Sequence, residues 1–179
     1  MPSNVDPVEE KALREHGILG RGGEPNGNHL YGNQLYAFEY ELLPPEAKQV
    51  LELVAHGGPL LYPEHDGKPY GNRSKDLPGA AIYREFTVPT PVSDSQGLAK
   101  LIRGRRRLVI RENGLVFFTA CHYERVPGKY GSDKHESHIA AVDERWRNGF
   151  YVVTGIAADM RMRIAVGIQQ VRNAHLADR

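Results

Sequence analysis

Arg107-Leu108-Val109-Ile110-Arg111-Glu112-Asn113-Gly114-Leu115-Val116-Phe117-Phe118-Thr119 is the stretch that decides the fold. Two short runs rich in β-branched and aromatic residues flank an Asn-Gly pair, the strongest short-range hairpin signal. The reading is two antiparallel strands, Arg107–Arg111 and Leu115–Thr119. Upstream, Ile82–Val88 has the same composition and is stopped by Pro89 and Pro91. Further upstream, Pro44-Pro45-Glu46 opens a helix, with proline in the first turn and an acid at the positive end of the dipole. Val50, Leu51, Leu53 and Val54 give it an apolar face, and Gly57-Gly58-Pro59 ends it. Leu35–Leu42 alternates apolar and polar residues and reads as one more strand. One helix followed by several antiparallel strands is an α+β pattern.

The flanks are of a different kind. Residues 1–34, rich in Gly, Asn and Pro around Gly20–Asn33, read as a loosely ordered arm with a short helix near Val8–Glu15. Residues 35–126 form the expected domain and 127–179 a C-terminal extension. In that extension, residues 135–148 read as a helix, Phe150–Thr154 as a strand, and Ile156–Leu176 as an amphipathic helix built on Met160, Ile164, Ile168 and Val171.

Charge is distributed unevenly. The chain has 179 residues and a net charge of +1, so global charge names no partner. Residues 1–42 hold three basic and seven acidic side chains, net −4; residues 43–123 hold 11 and eight, net +3; residues 124–179 hold nine and seven, net +2. The basic excess lies where phosphates would be met, and its modest size suits a compact site rather than a long groove. Cys121 is the only cysteine, so no intrachain disulfide forms and a zinc deaminase signature is excluded. Met1–Gly17 has no apolar stretch of the kind a secretory signal needs, and no run approaches membrane-spanning length. No phosphate-binding Gly-x-x-x-x-Gly-Lys-Ser/Thr element occurs. His135 and His138 are spaced as metal ligands on a helix can be, but no third ligand stands out and a solvated polar helix start reads better.

In chain order stand Tyr70-Gly71-Asn72-Arg73, Leu77-Pro78, Tyr83-Arg84-Glu85-Phe86-Thr87-Val88, Arg103-Gly104-Arg105-Arg106-Arg107 and Cys121-His122-Tyr123. A carboxylate, an imidazole and two arginines four apart are the equipment for cutting RNA without a metal: one group takes the 2′-hydroxyl proton, one protonates the 5′-oxygen, and positive charge holds the phosphorane. Alone, each has an ordinary reading. Glu85 would be a strand residue on a solvated face, His122 one of eight histidines, and the arginine run a diffuse basic patch.

Together the fragments resemble the microbial guanyl-specific ribonucleases, the family of barnase and ribonuclease Sa. Leu43-Pro44-Pro45-Glu46-Ala47 and Gly58-Pro59-Leu60-Leu61-Tyr62 resemble the ribonuclease Sa branch. The likeness covers residues 43–123. It ends at Glu124-Arg125-Val126-Pro127-Gly128, where the family has another apolar strand. It implies a helix packed on a twisted antiparallel sheet, here with an added N-terminal arm and a helical C-terminal extension. It also implies an endoribonuclease acting on single-stranded RNA by transphosphorylation, with no metal or cofactor. Glu85 would be the general base and His122 the general acid. Arg103 and Arg107 would face the phosphate, on the argument that residues four apart in an extended segment share a face. Arg105 and Arg106 would be solvated. Tyr70, Asn72, Arg73, Ser74 and Tyr123 would form the base site.

Ser74 stands where the family has a glutamate that receives two guanine donors. A hydroxyl cannot accept two parallel hydrogen bonds as a carboxylate does. Asp76 lies nearby as a possible substitute. A secreted enzyme, or a toxin domain delivered into a target cell, would need an acidic, barstar-like inhibitor as partner. The rival from another class is a non-catalytic RNA-binding or interaction module on the same fold; retention of both Glu85 and His122 speaks against it.

Overall fold

The computed structural model describes residues 29–30, 33–34, 36–71, 77, 82–119 and 151–177. The helices expected near Val8–Glu15 and at 135–148 lie outside the described residues.

The first helix, α1 (Pro45–Ala55), starts as its sequence dictates, with Pro44 as N-cap, Pro45 at the first position and Glu46 in the first turn. Its buried residues Ala47, Val50, Leu51 and Val54 fall three and four apart, the spacing of one helical face. That face meets the main sheet. Strands β1 (His29–Leu30) and β2 (Asn33–Gln34) form a small separate ribbon. The main sheet contains β3 (Tyr36–Glu39), β4 (Lys68–Tyr70), β5 (Tyr83–Thr87), β8 (Arg107–Arg111), β9 (Val116–Thr119) and β10 (Tyr151–Thr154), in the order β3-β10-β9-β8-β5-β4. Every pairing is antiparallel except β3 with β10, which is parallel. The α+β class holds. The strand expected over Leu35–Leu42 is shorter than its alternation suggested, because Tyr40–Leu42 turns into a 3-10 helix that leads into α1.

The Asn-Gly reading of the β8–β9 hairpin holds at atomic detail. Gly114 takes φ +93°, a left-handed conformation that a side chain would strain. Its amide donates to the Arg111 carbonyl at 2.8 Å, and the Asn113 side chain accepts from the Leu115 amide at 3.1 Å. Pro89 and Pro91 do stop β5, but a strand resumes immediately. β6 (Thr90–Ser93) pairs with β7 (Ala99–Ile102) in a two-stranded ribbon, where Pro91 is tolerated because only one edge of β6 is bonded.

Residues 151–177 share the core of the upstream elements. β10 sits between β9 and β3, and α2 (Ala158–Ala177) packs on α1. The main apolar cluster joins Leu43, Val50, Leu51 and Val54 to Phe86, Leu108, Ile110, Val116, Phe118 and Val153 of the sheet, and to Ile156, Met160, Ile164, Ile168 and Val171. The helices approach closely at Gly167, where an added Cβ would lie 1.7 Å from the Val54 carbonyl oxygen. Only glycine fits there. Among the described residues, no helix is long and apolar enough to cross a membrane.

Candidate active site

Because side chains alternate along a strand, burial of Phe86, Leu108, Ile110 and Phe118 under the helices fixes what the opposite face carries. On β5 those residues are Tyr83, Glu85 and Thr87; on β8 they are Arg107, Val109 and Arg111; on β9, Phe117 and Thr119. The register arranges them in three rows. Tyr70, Tyr83 and Arg111 make one, Lys68, Glu85, Val109 and Phe117 the next, and Thr87, Arg107 and Thr119 the third. Glu85 therefore has Arg107 and Arg111 as its two diagonal neighbours across β8, within reach of long side chains. The middle row changes along its length: Lys68 is exposed, Glu85 half-buried, Val109 and Phe117 fully buried. Tyr83 meets Phe117 edge to face, with ring centroids 5.9 Å apart.

Arg103 and Arg107 converge, though not by strand alternation. β7 ends at Ile102 and β8 begins at Arg107, so residues 103–106 form a bend rather than an extended run. The bend itself brings the two arginines together at Thr87. Arg103 Nε donates to Thr87 Oγ1 at 3.0 Å, and Arg107 is the register partner of Thr87. The Arg107 guanidinium is clasped by the bend's own carbonyls, with Nη1 donating to Gly104 O at 2.6 Å and Arg106 O at 2.8 Å.

Arg106 departs from expectation. It is not solvated but 5% exposed. Its Nη2 donates to the Pro89 carbonyl and lies 3.4 Å from Glu46 Oε2 at the start of α1. The Val88 amide donates to the Arg106 carbonyl at 3.1 Å. The bend turns Arg106 inward, so it ties the helix to the segment that carries Arg103 and Arg107. Arg105 is half-buried.

Asp66, which no sequence motif singles out, joins the group at Thr87. It reaches Thr87 from the loop before β4, where Oδ1 accepts from the Thr87 amide at 2.8 Å and Oδ2 from the Tyr62 amide at 3.3 Å. Burial pushes its carboxyl above the ordinary carboxylate value, opposed by hydrogen bonds from the Thr87 hydroxyl, the Thr87 amide and the Tyr62 amide, and by the charge of Arg103. A relay results: guanidinium of Arg103, hydroxyl of Thr87, carboxylate of Asp66. The same loop is pinned to β5 at two more points. Gly67 N donates to Glu85 O at 2.8 Å, and Arg84 Nη1 donates to Gly67 O at 2.8 Å from the helix side. No local motif flags Asp66, since its partner is 21 residues away.

Tyr70 lies half-buried on the Glu85 face, opposite Tyr83. His122, Tyr123, Asn72, Arg73, Ser74 and Asp76 lie outside the described residues. A cavity of about 310 Å³ lies on the helix side, lined by Leu60, Pro63, Asp66, Val171 and His175. None of Glu85, Arg103 or Arg107 borders it. Among the described residues, no three His, Cys, Asp or Glu side chains converge as a metal site would require.

The face thus groups one half-buried carboxylate, Glu85, with the guanidinium side chains of Arg107 and Arg111 across β8, while Arg103 meets the same strand at Thr87. A ribonuclease family model matches residues 13–130, well over half of the chain. The chain belongs to that ribonuclease family and is an endoribonuclease. It is 45% identical over 84 residues to guanyl-specific ribonuclease St of Saccharopolyspora erythraea, covering 46% of this chain and 75% of that protein. Two ribonucleases of Kitasatospora aureofaciens are each 36% identical. The match to guanyl-specific ribonuclease Sa3 spans 86 residues, 47% of this chain and 56% of that protein. The match to guanyl-specific ribonuclease Sa spans 83 residues, 45% and 79%. β10 and α2 lie beyond the matched span.

Proposed function

We propose that the chain cleaves single-stranded RNA by metal-independent transphosphorylation. The ribose 2′-oxygen attacks the adjacent phosphorus, and the bond from phosphorus to the 5′-oxygen breaks. Glu85 takes the 2′-hydroxyl proton and His122 gives one to the departing 5′-oxygen, leaving a 2′,3′-cyclic phosphate. The two residues then exchange roles as water opens the ring to a 3′-phosphate. Arg103 and Arg107 bear the charge of the phosphorane, with guanidinium groups that grip two oxygens and keep their charge. The observation that carries this reading is the meeting of Arg103 and Arg107 at Thr87, two residues from Glu85 on the same face.

Tyr70, Asn72, Arg73, Ser74 and Tyr123 form the base site in this reading. With Ser74 where the relatives' family uses a glutamate, guanine preference is weaker than a carboxylate would give, by about 1–3 kcal/mol. The proposed catalytic residues all lie within residues 35–126. The enzyme is either secreted or a toxin domain delivered into a target cell, and either way it is held in check by an acidic, barstar-like inhibitor that fits the basic face.

The test is cleavage of a mixed RNA by purified protein in excess EDTA. Glu85→Gln and His122→Ala should each lower the rate by at least about a hundredfold, the scale of a positioned acid or base. Activity abolished by EDTA, or retained by both variants, overturns the mechanism.

A further inference from the structure

We propose that Lys68 is a further catalytic residue, whose ammonium meets a non-bridging oxygen of the scissile phosphate from the side opposite Arg103 and Arg107. The proposal rests on the reading of Glu85 as the general base. Lys68 is the antiparallel register partner of Glu85 across the β4–β5 pair. Directly opposed residues of such a pair share a face, with Cβ atoms about 4.5–5.5 Å apart. Lys68 therefore stands beside Glu85 on the same face of the sheet.

Exposure along the Glu85 row rises toward β4. Across β8 and β9 the row continues into Val109 and Phe117, both fully buried. In the other direction it ends at exposed Lys68 on the edge strand β4. A phosphate seated over Glu85 is approached over Lys68. Among the described residues, the Lys68 ammonium forms no ion pair or hydrogen bond. Two residues along the same face stands Tyr70, of the proposed base site. Lys68 thus neighbours both Tyr70 on its own strand and Glu85 on the next.

The chemistry favours an effect on turnover. The phosphodiester carries one negative charge in the ground state, and the phosphorane gains a second as the 2′-oxygen attacks. A cation at the attacking side is worth more to the transition state than to bound substrate, which raises kcat rather than lowering KM.

The experiment measures kcat and KM of the full chain on a short single-stranded RNA, for Lys68→Gln, Lys68→Arg, Glu85→Gln and the control Lys100→Gln. Lys100 lies on the separate two-stranded β6–β7 ribbon and not on the main sheet that carries Glu85. Lys68→Gln should lower kcat about ten- to a hundredfold with KM within about threefold, while Lys68→Arg stays within about fivefold of wild type. Lys100→Gln should leave both constants unchanged. Loss in KM alone, or equal losses in Lys68→Gln and Lys100→Gln, would mean diffuse attraction and overturn the proposal. Wild-type kcat in Lys68→Gln with an inactive Glu85→Gln would sink the lysine's role and leave the general base intact. An active Glu85→Gln would remove the reading beneath it.

Discussion

Thr87→Val tests the relay that positions Arg103. Valine has nearly the shape of threonine, so the buried site stays filled while Oγ1 is lost. Two interactions go: the 3.0 Å bond from Arg103 Nε, and the hydroxyl's bond to Asp66. Arg103 is half-buried and its Nε can turn to water, so that loss is at the low end of a charged hydrogen bond, about 1 kcal/mol. Asp66 is buried and keeps its amide donors from Thr87 and Tyr62, so losing one of three costs about 1–2 kcal/mol. The sum, about 2–3 kcal/mol, corresponds to a fall in melting temperature of roughly 4–12 °C for a chain of this size. Catalysis should fall up to about tenfold, because a guanidinium released from its anchor gives up about 1.4 kcal/mol of transition-state stabilisation. The assay is a double-mutant cycle on kcat/KM with Arg103→Ala. If Thr87 acts through Arg103, Thr87→Val costs nothing further once Arg103 is alanine. Losses that multiply across the cycle would refute the relay.

Arg106→Ala should be a stability variant: removing one member of a buried ion pair with Glu46 costs about 3–5 kcal/mol in thermal or urea unfolding, while the folded fraction keeps most of its activity. A stable but inactive Arg106→Ala would move that residue into the catalytic machinery. Arg107→Ala should lower kcat well below the Arg105→Ala value, measured on the same RNA; equal losses would mean a diffuse basic patch. Gly167→Ala should destabilise the protein by about 3 kcal/mol or more, since its Cβ meets the backbone of α1, and an unchanged melting temperature would contradict the packing of α2 there. Ser74→Glu should raise the share of cleavage after guanine, read by sequencing the cut ends, because it restores two acceptor oxygens facing two donors; strict guanine cleavage in the wild type that is lost on Asp76→Asn would assign the role to Asp76.

Local chemistry made the helix and the hairpin legible. Pro45 and Glu46 start α1, the period of Val50, Leu51 and Val54 sets its buried face, and Asn113-Gly114 dictates the turn. Glu85, Arg103 and Arg107 stood out only through the order of fragments, since each alone reads as ordinary surface. What the sequence hid was long-range. The inward turn of Arg106 depends on a bend between β7 and β8, where a straight strand was the simpler reading. Asp66 and Lys68 become neighbours of Thr87 and Glu85 only once the loop and edge strand are placed, across separations that no periodicity encodes. Likewise Tyr151–Thr154 is legible as a strand, but its parallel pairing with Tyr36–Glu39 is a property of the assembled sheet.

The chemistry of the cut ends separates this mechanism from its alternatives most directly. Single-stranded RNA is incubated with the full chain in excess EDTA, and early products are analysed by mass and by sensitivity to phosphatase before and after acid opening. The mechanism predicts 2′,3′-cyclic phosphates paired with free 5′-hydroxyls, converting with time to 3′-phosphates, and neither product from Glu85→Gln. Fragments with 5′-phosphates and 3′-hydroxyls, or cleavage that appears only with a divalent metal, would contradict it.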